Sequence, residues 1–419
     1  MRFFEPVAAG CVALVGLALA CLLLLPATIN VVLGAVVVST VCLLKRDRWS
    51  AIRLHNWSWV RQVYQAFAIY NFAFRLSRAC RKLQLPIEAV GLYDGGAAIL
   101  DEILATGPDT FQKKPTNRAQ IESLMECVHG LVQGVKQNGR TPLVLDIGAG
   151  KALFTRAVYE ALGREVAVVA LDERHQHDKD QFYDPPPPPA STIELESGSG
   201  PVRPTNRSVI CGEAPYTRIV ADVRHLAART LVPLREAKGG GVVAITKHLC
   251  GGATDGSLMA LCTPPLNDFV GACCLAPCCH QKMLRNQYCN MPFLESLGFC
   301  QTHLGKRGGP QDVDFKNFGM LISMSRHPGT ELLGFEYKKS NLLKLLGFTW
   351  ASELGRKARH LLEEGRAQYL RDHGFEAHLV TYCAREIAGD NIAIIARRRE
   401  VAAEDPFLCK ACDDVGKSE

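Results

Sequence analysis

The stretch LDIGAGKALFTRAVYEAL, from Leu145 to Leu162, sets an apolar run directly against Gly148, Ala149 and Gly150, and those against a helical pattern. Apolar strand, small-residue turn and amphipathic helix is the opening move of a doubly wound α/β sheet. The next strand, EVAVVALDE, follows Gly163 and completes a β-turn-α-β unit. A dinucleotide site would read G-x-G-x-x-G. Here an acid, Asp146, precedes the first glycine and no third glycine follows. The glycines leave main chain that a ligand can approach closely, with no pyrophosphate to cradle.

The acids extend the pattern. Asp172 and Glu173 close the second strand, and Asp222 closes a third, YTRIVAD. Ligands in such sheets bind at the carboxyl ends of strands, where acids accept hydrogen bonds from ribose hydroxyls. The D-x-G-x-G turn resembles the cofactor turn of class I methyltransferases. That resemblance implies S-adenosyl-L-methionine as cofactor. It assigns Gly148 and Gly150 to the close approach, Asp146 to a cationic amino group, Asp172 or Glu173 to the ribose, and Asp222 to the adenine edge.

Composition agrees with a folded enzyme. The chain has 419 residues, 47% hydrophobic and 21% charged, which excludes a disordered or fibrous class. A net charge of +6 permits an anionic partner such as RNA without requiring one. Seventeen cysteines, several adjacent, lack the spacing of a small secreted scaffold and point to a reducing compartment.

Four regions follow from the pattern. Residues 1–48 hold an apolar segment, Val7 to Leu44, without a charged residue. It is longer than a signal-peptide core and than one bilayer crossing of roughly 20 residues. Arg2 and the run Lys45 to Arg48 flank it, so a membrane anchor would place the rest of the chain on the cytoplasmic face. The competing reading is a mis-assigned start codon, which places the protein in the cytoplasm or nucleus. Residues 49–109 are an aromatic and basic helical linker, read either as an interfacial helix or as one packed on the catalytic domain. Residues 110–399 form the α/β domain, entered by a helix ending at Asn138-Gly139 and interrupted by a Pro/Gly/Ser-rich insertion at 184–208. Residues 400–419 are a disordered tail.

The second constellation is Lys247 to Asp255, KHLCGGATD. Further on come CCHQ at Cys278 to Gln281, QYCN with Tyr288 and Asn290, FLESLGF, GRKARHLLEEGR from Gly355, and DNIAIIARR. Together these resemble the tRNA 2′-O-ribose methyltransferase family that modifies the fourth nucleotide of the acceptor stem, the Trm-thirteen-like methyltransferases, over about residues 110–399. The resemblance implies a class I Rossmann-like methyltransferase sheet with flanking helices, tRNA as partner, and methyl transfer to a ribose hydroxyl. Gln281 departs from the family's second histidine. Its N-terminal zinc-finger modules have no counterpart, their place being held by the apolar segment.

A ribose hydroxyl needs its proton withdrawn to become a nucleophile, which a lysine of lowered pKa or a histidine can do. Lys247, at the end of a strand, is the first choice as base or orienting group, and His248 the second. Asp255 is expected to position Lys247, and His280 to approach from the neighbouring strand's loop. The plainer readings are a core histidine at 248 and a helix cap at Asp255, for a helix beginning near Gly256. Adjacent Cys278, Cys279 and His280 cannot easily share one tetrahedral zinc, and Cys409-x-x-Cys412 is half a site, so no metal is expected. Basic clusters at Lys306-Arg307, Lys338-Lys339, Arg356-Lys357-Arg359 and Arg397-Arg398-Arg399 are candidates for phosphate contact. Two rivals stand beside this reading: a related methyltransferase acting on another RNA or a protein, and a membrane-tethered RNA-binding protein with a vestigial cofactor site.

Overall fold

The computed structural model describes residues 71–88, 91–106, 115–172, 209–211, 216–225, 237, 239–299, 303–304, 310–311, 315–325, 348–389 and 391–399. The apolar segment 7–44, the insertion, the tail and Glu173 lie outside them, as do the side chains of His248 and Gln281. Among the described residues no helix is long and apolar enough to cross a membrane.

The sheet is built on β2 (Leu143–Ile147), the strand of the opening motif. On one side lie β3 (Ala167–Asp172) and then β5 (Thr217–Val220); on the other lie β6 (Val242–Cys250) and then β7 (Val270–Cys278), all parallel. Chain order therefore reverses between β2 and β6, which makes the carboxyl ends of those two strands the topological switch point. Beyond β7, β11 (Ile392–Arg398) runs antiparallel and β10 (Phe375–Thr381) antiparallel to it. The edges are β4 (Val209–Cys211), antiparallel to β5, and β1 (Ile87–Glu88), parallel to β10, while β8 (His303–Leu304) and β9 (Pro310–Gln311) form a separate antiparallel pair.

Burial on both faces explains the unbroken apolar runs. Val144, Val168, Val243, Ile245 and Cys274 face one core, with helices α1 (Gly96–Thr106), α2 (Pro115–Gln137) and α3 (Leu153–Ala161). Their strand neighbours Leu145, Val169, Ala244, Cys273 and Leu275 face the other. That face is covered by α4 (Gly252–Leu261) and α7 (Phe348–Asp372), with the shorter α5 (Met291–Ser296) and α6 (Phe315–Met324) beside α7.

The compact unit begins at Tyr70, ahead of the boundary at 110 expected from sequence. A helical stretch over 71–80 buries Phe72 and Leu76, with the Phe72 ring edge-on to Phe299 at 5.9 Å. This part of the linker packs on the domain, the second of its two sequence readings. Leu100 and Ile103 of α1 are buried in the first core. Leu100→Ala is therefore expected to destabilise the domain by about 2–5 kcal/mol, read as a lowered urea midpoint at constant m-value.

Candidate active site

The glycine turn is shaped by its backbone. Gly148 sits at φ 73° and Gly150 at φ 54°, conformations that side chains rarely adopt. A Cβ at Gly148 would lie 2.6 Å from Leu249 Cδ1, so the turn packs directly on the KHLCGG segment. At Gly150 a Cβ would meet only the Gly148 carbonyl, at 3.9 Å, leaving that side of the main chain accessible. The two motifs separated by about a hundred residues of sequence thus meet at the switch point.

The acids brace this turn. Buried Asp146 accepts from Thr155 Oγ1 at 2.6 Å, tying the end of β2 to α3. Burial pushes its carboxyl up to about 7, against the opposing pull of Thr155 and Arg218. Asp172 accepts the Gly150 N–H at 2.8 Å, and Arg218 donates to the Gly150 carbonyl at 3.1 Å. Asp222 accepts from its own neighbour Arg224, whose Nε lies 3.0 Å from a carboxylate oxygen. That ion pair offsets the charge expected at the adenine edge.

Lys247 lies near the end of β6, two residues past the register partner of Asp146. Its Nζ donates to Asn117 Oδ1 at 2.6 Å, a contact from the first turn of α2 that the sequence did not reveal. Burial pushes the ammonium down to about 8, while Cys278 and Asp146 act in the other direction.

Asp255 does not hold Lys247. Helix α4 starts at Gly252, so Asp255 falls within its first turn, fully buried. Arg366 Nη2 donates to Asp255 Oδ2 at 2.6 Å and Arg366 Nε to Oδ1 at 3.2 Å. Arg366 Nη1 also donates to Glu363 Oε1 at 2.9 Å. The same Glu363 oxygen takes His280 Nε2 in a short hydrogen bond, so His280 also belongs to this cluster. Burial pushes the His280 imidazole below its ordinary value despite Glu363. Burial pushes the Glu363 carboxyl up, yet Arg366 and His280 outweigh it and hold the group below its ordinary value. A buried charge needs a paired partner, which is why both carboxylates turn to the guanidinium rather than to a half-buried lysine.

The quoted QYCN motif joins the same helix. Tyr288 Oη donates to the Leu362 carbonyl at 2.9 Å and Asn290 Nδ2 to the Gly365 carbonyl at 2.8 Å. Gly365 is required for that approach, since a Cβ there would lie 2.0 Å from Tyr288 Oη. Gly251, at φ 57°, is required likewise, with the Lys282 carbonyl carbon 2.9 Å from its would-be Cβ.

The basic clusters divide. Arg359 is buried, donating to the Ser325 and Gly389 carbonyls at 2.7 and 3.0 Å, and Arg398 donates to the Val270 carbonyl at 3.0 Å. These two arginines hold the fold rather than an external phosphate. Lys306-Arg307 and Lys338-Lys339 lie outside the described residues.

The family described as methyltransferase TRM13 matches residues 120–306 and 331–397, more than half of the chain. The chain belongs to the TRM13 methyltransferase family. The tRNA:m(4)X modification enzyme TRM13 of Eremothecium gossypii is 31% identical over 190 residues, covering 43% of this chain and 39% of that relative. Its counterpart in Vanderwaltozyma polyspora is 28% identical over 190 residues, covering 44% of this chain and 42% of that one. The chain thus spans about two fifths of the length of these TRM13 relatives. Among solved structures, the plantazolicin methyltransferase BpumL in complex with SAH and a desmethylPZN analog covers 80% of this chain and 100% of its own, at 12% identity and a TM-score of 0.27. That likeness is too weak to carry an argument.

Arg366→Met leaves Asp255 and Glu363 buried without their cation. A loss of about 3–5 kcal/mol in unfolding free energy is expected by urea titration. Arg366→Lys, which keeps the charge but loses the fork, is expected to fall between this variant and the parent.

Proposed function

We propose that the chain is an S-adenosylmethionine-dependent methyltransferase acting on a ribose 2′-OH of tRNA, at the fourth nucleotide of the acceptor stem. The observation that carries this reading is the packing of the Gly148 turn on Leu249, two residues along β6 from Lys247, at the switch point. Membership of the TRM13 family supports the substrate class.

The cofactor supplies an electrophilic methyl group. The residues fit it: Gly150 leaves its main chain open, and Asp146 and Asp172 offer carboxylates on either side of the turn. Glu173 and Asp222 stay candidates for ribose and adenine. Lys247 is the base. In its neutral form Nζ keeps an N–H on Asn117 Oδ1 and presents its lone pair to the 2′-hydroxyl. The proton passes to Nζ as the oxygen takes the methyl group. Burial that brings the ammonium down to about 8 makes this transfer accessible near neutral pH. His248 is the second candidate for that role. His280 and Asp255 act through Arg366 to position the strand ends, without touching the reacting atoms. Residues 7–44 are proposed as an anchor that keeps the enzyme on the cytoplasmic face of a membrane.

Lys247→Ala is expected to lower methyl transfer by about 100- to 10,000-fold with cofactor affinity nearly unchanged. Single-turnover labelling of tRNA and calorimetric titration with cofactor check the two halves. Unaltered turnover would remove Lys247 from the chemistry. For the parent, kcat is expected to rise with pH through about 8, because only the deprotonated amine accepts a proton. A profile flat across that range would argue against an amine base.

A further inference from the structure

Three thiols converge where β6 and β7 end. Cys250 closes β6, Cys278 closes β7, and the two are register partners on adjacent parallel strands. Their sulfurs are 3.4 Å apart. In continued extended backbone Cys279 would point to the face opposite Cys278. Instead it adopts φ 49°, ψ 44°, a left-handed conformation uncommon outside glycine and asparagine, and the chain doubles back. With Cys279 turned, the sulfurs of Cys250, Cys278 and Cys279 all lie within 4.8 Å of one another.

The local backbone is built for this meeting. The Gly251 N–H donates to the Cys278 carbonyl at 3.2 Å, fastening the two segments beside the sulfurs. Any side chain at Gly251 would strike the Lys282 main chain and push the Cys278–Cys279 turn away from Cys250. Cys278 is buried, while Cys250 and Cys279 are half-exposed, so the cluster has a dry base and an open side. A tetrahedral zinc with bonds of about 2.3 Å sets its sulfurs about 3.8 Å apart. The observed spacing reaches that by movements of about an ångström or less.

We propose that Cys250, Cys278 and Cys279 form a three-thiolate site for one thiophilic closed-shell cation of the zinc class, with its fourth position open to solvent. Soft sulfur ligands select such ions over magnesium or calcium. On binding, the thiols release their protons to solvent and the ion clasps the ends of β6 and β7 together. That clasp lies three residues beyond Lys247.

The test uses the full chain, purified reduced and then loaded with Co²⁺ or Zn²⁺. One cobalt per chain with a sulfur-to-cobalt charge-transfer band is expected, displaced by zinc. Cys250→Ser and Cys279→Asn, the second compatible with the left-handed turn, should each remove one equivalent and the band. The double variant Cys409→Ser, Cys412→Ser should retain both. Peptide mass spectrometry after alkylation gives a readout on the parent alone: zinc should slow labelling of Cys250 and Cys279 at least tenfold. Equal metal content in parent and single variants, absence of the band, labelling indifferent to zinc, or a Cys250–Cys278 disulfide in the reduced preparation would each overturn the proposal.

Discussion

The guanidinium of Arg366 is the constraint on which the arrangement turns. It is fully buried, and it answers Asp255 from α4 and Glu363 from its own helix, with His280 on the far side of Glu363. Charges removed from water must be paired closely or not buried at all. That requirement admits few placements of α7 over the sheet, because moving the helix by one turn would part Arg366 from Asp255 and Glu363 from His280. Hydrogen bonds from Tyr288 and Asn290 to carbonyls of the same helix narrow the choice further.

The consequence reaches the switch point. One residue separates helix α4 from β6, and one separates His280 from β7, so anchoring Asp255 and His280 fixes the ends of both strands. Lys247 stands on the first of these strands, and Leu249 presses against the Gly148 turn from it. Work is thereby divided within a single short motif. Its aspartate and glycines hold shape, and its lysine reaches Asn117 of α2. The turn itself is stiffened separately, by Thr155, Asp172 and Arg218.

The same economy alters the electrostatic picture. Arginines that look in sequence like a surface for phosphates are partly spent inside. Arg359 joins α7 to the ends of two loops, and Arg398 fastens β11 to the start of β7.

The strand-turn-helix unit, the run of parallel strands, the glycine turn and the family signature were all legible from residue order. Local rules suffice for them: apolar runs mark doubly buried strands, and Gly148 and Gly150 mark backbone that must bend the unusual way. Asn117 was not legible as a partner of Lys247, nor Arg366 as the partner of Asp255, since 130 and 111 residues separate the pairs. The basic cluster Arg356-Lys357-Arg359, on the helix carrying Glu363 and Arg366, read as a candidate phosphate contact because sequence records polarity without saying what lies opposite. Nor could adjacency of Cys278 and Cys279 show that one left-handed residue brings both sulfurs to Cys250. Sequence determines which groups a segment offers. Which of them are buried together, and so which charges must pair, is decided only when the sheet and helices close around them.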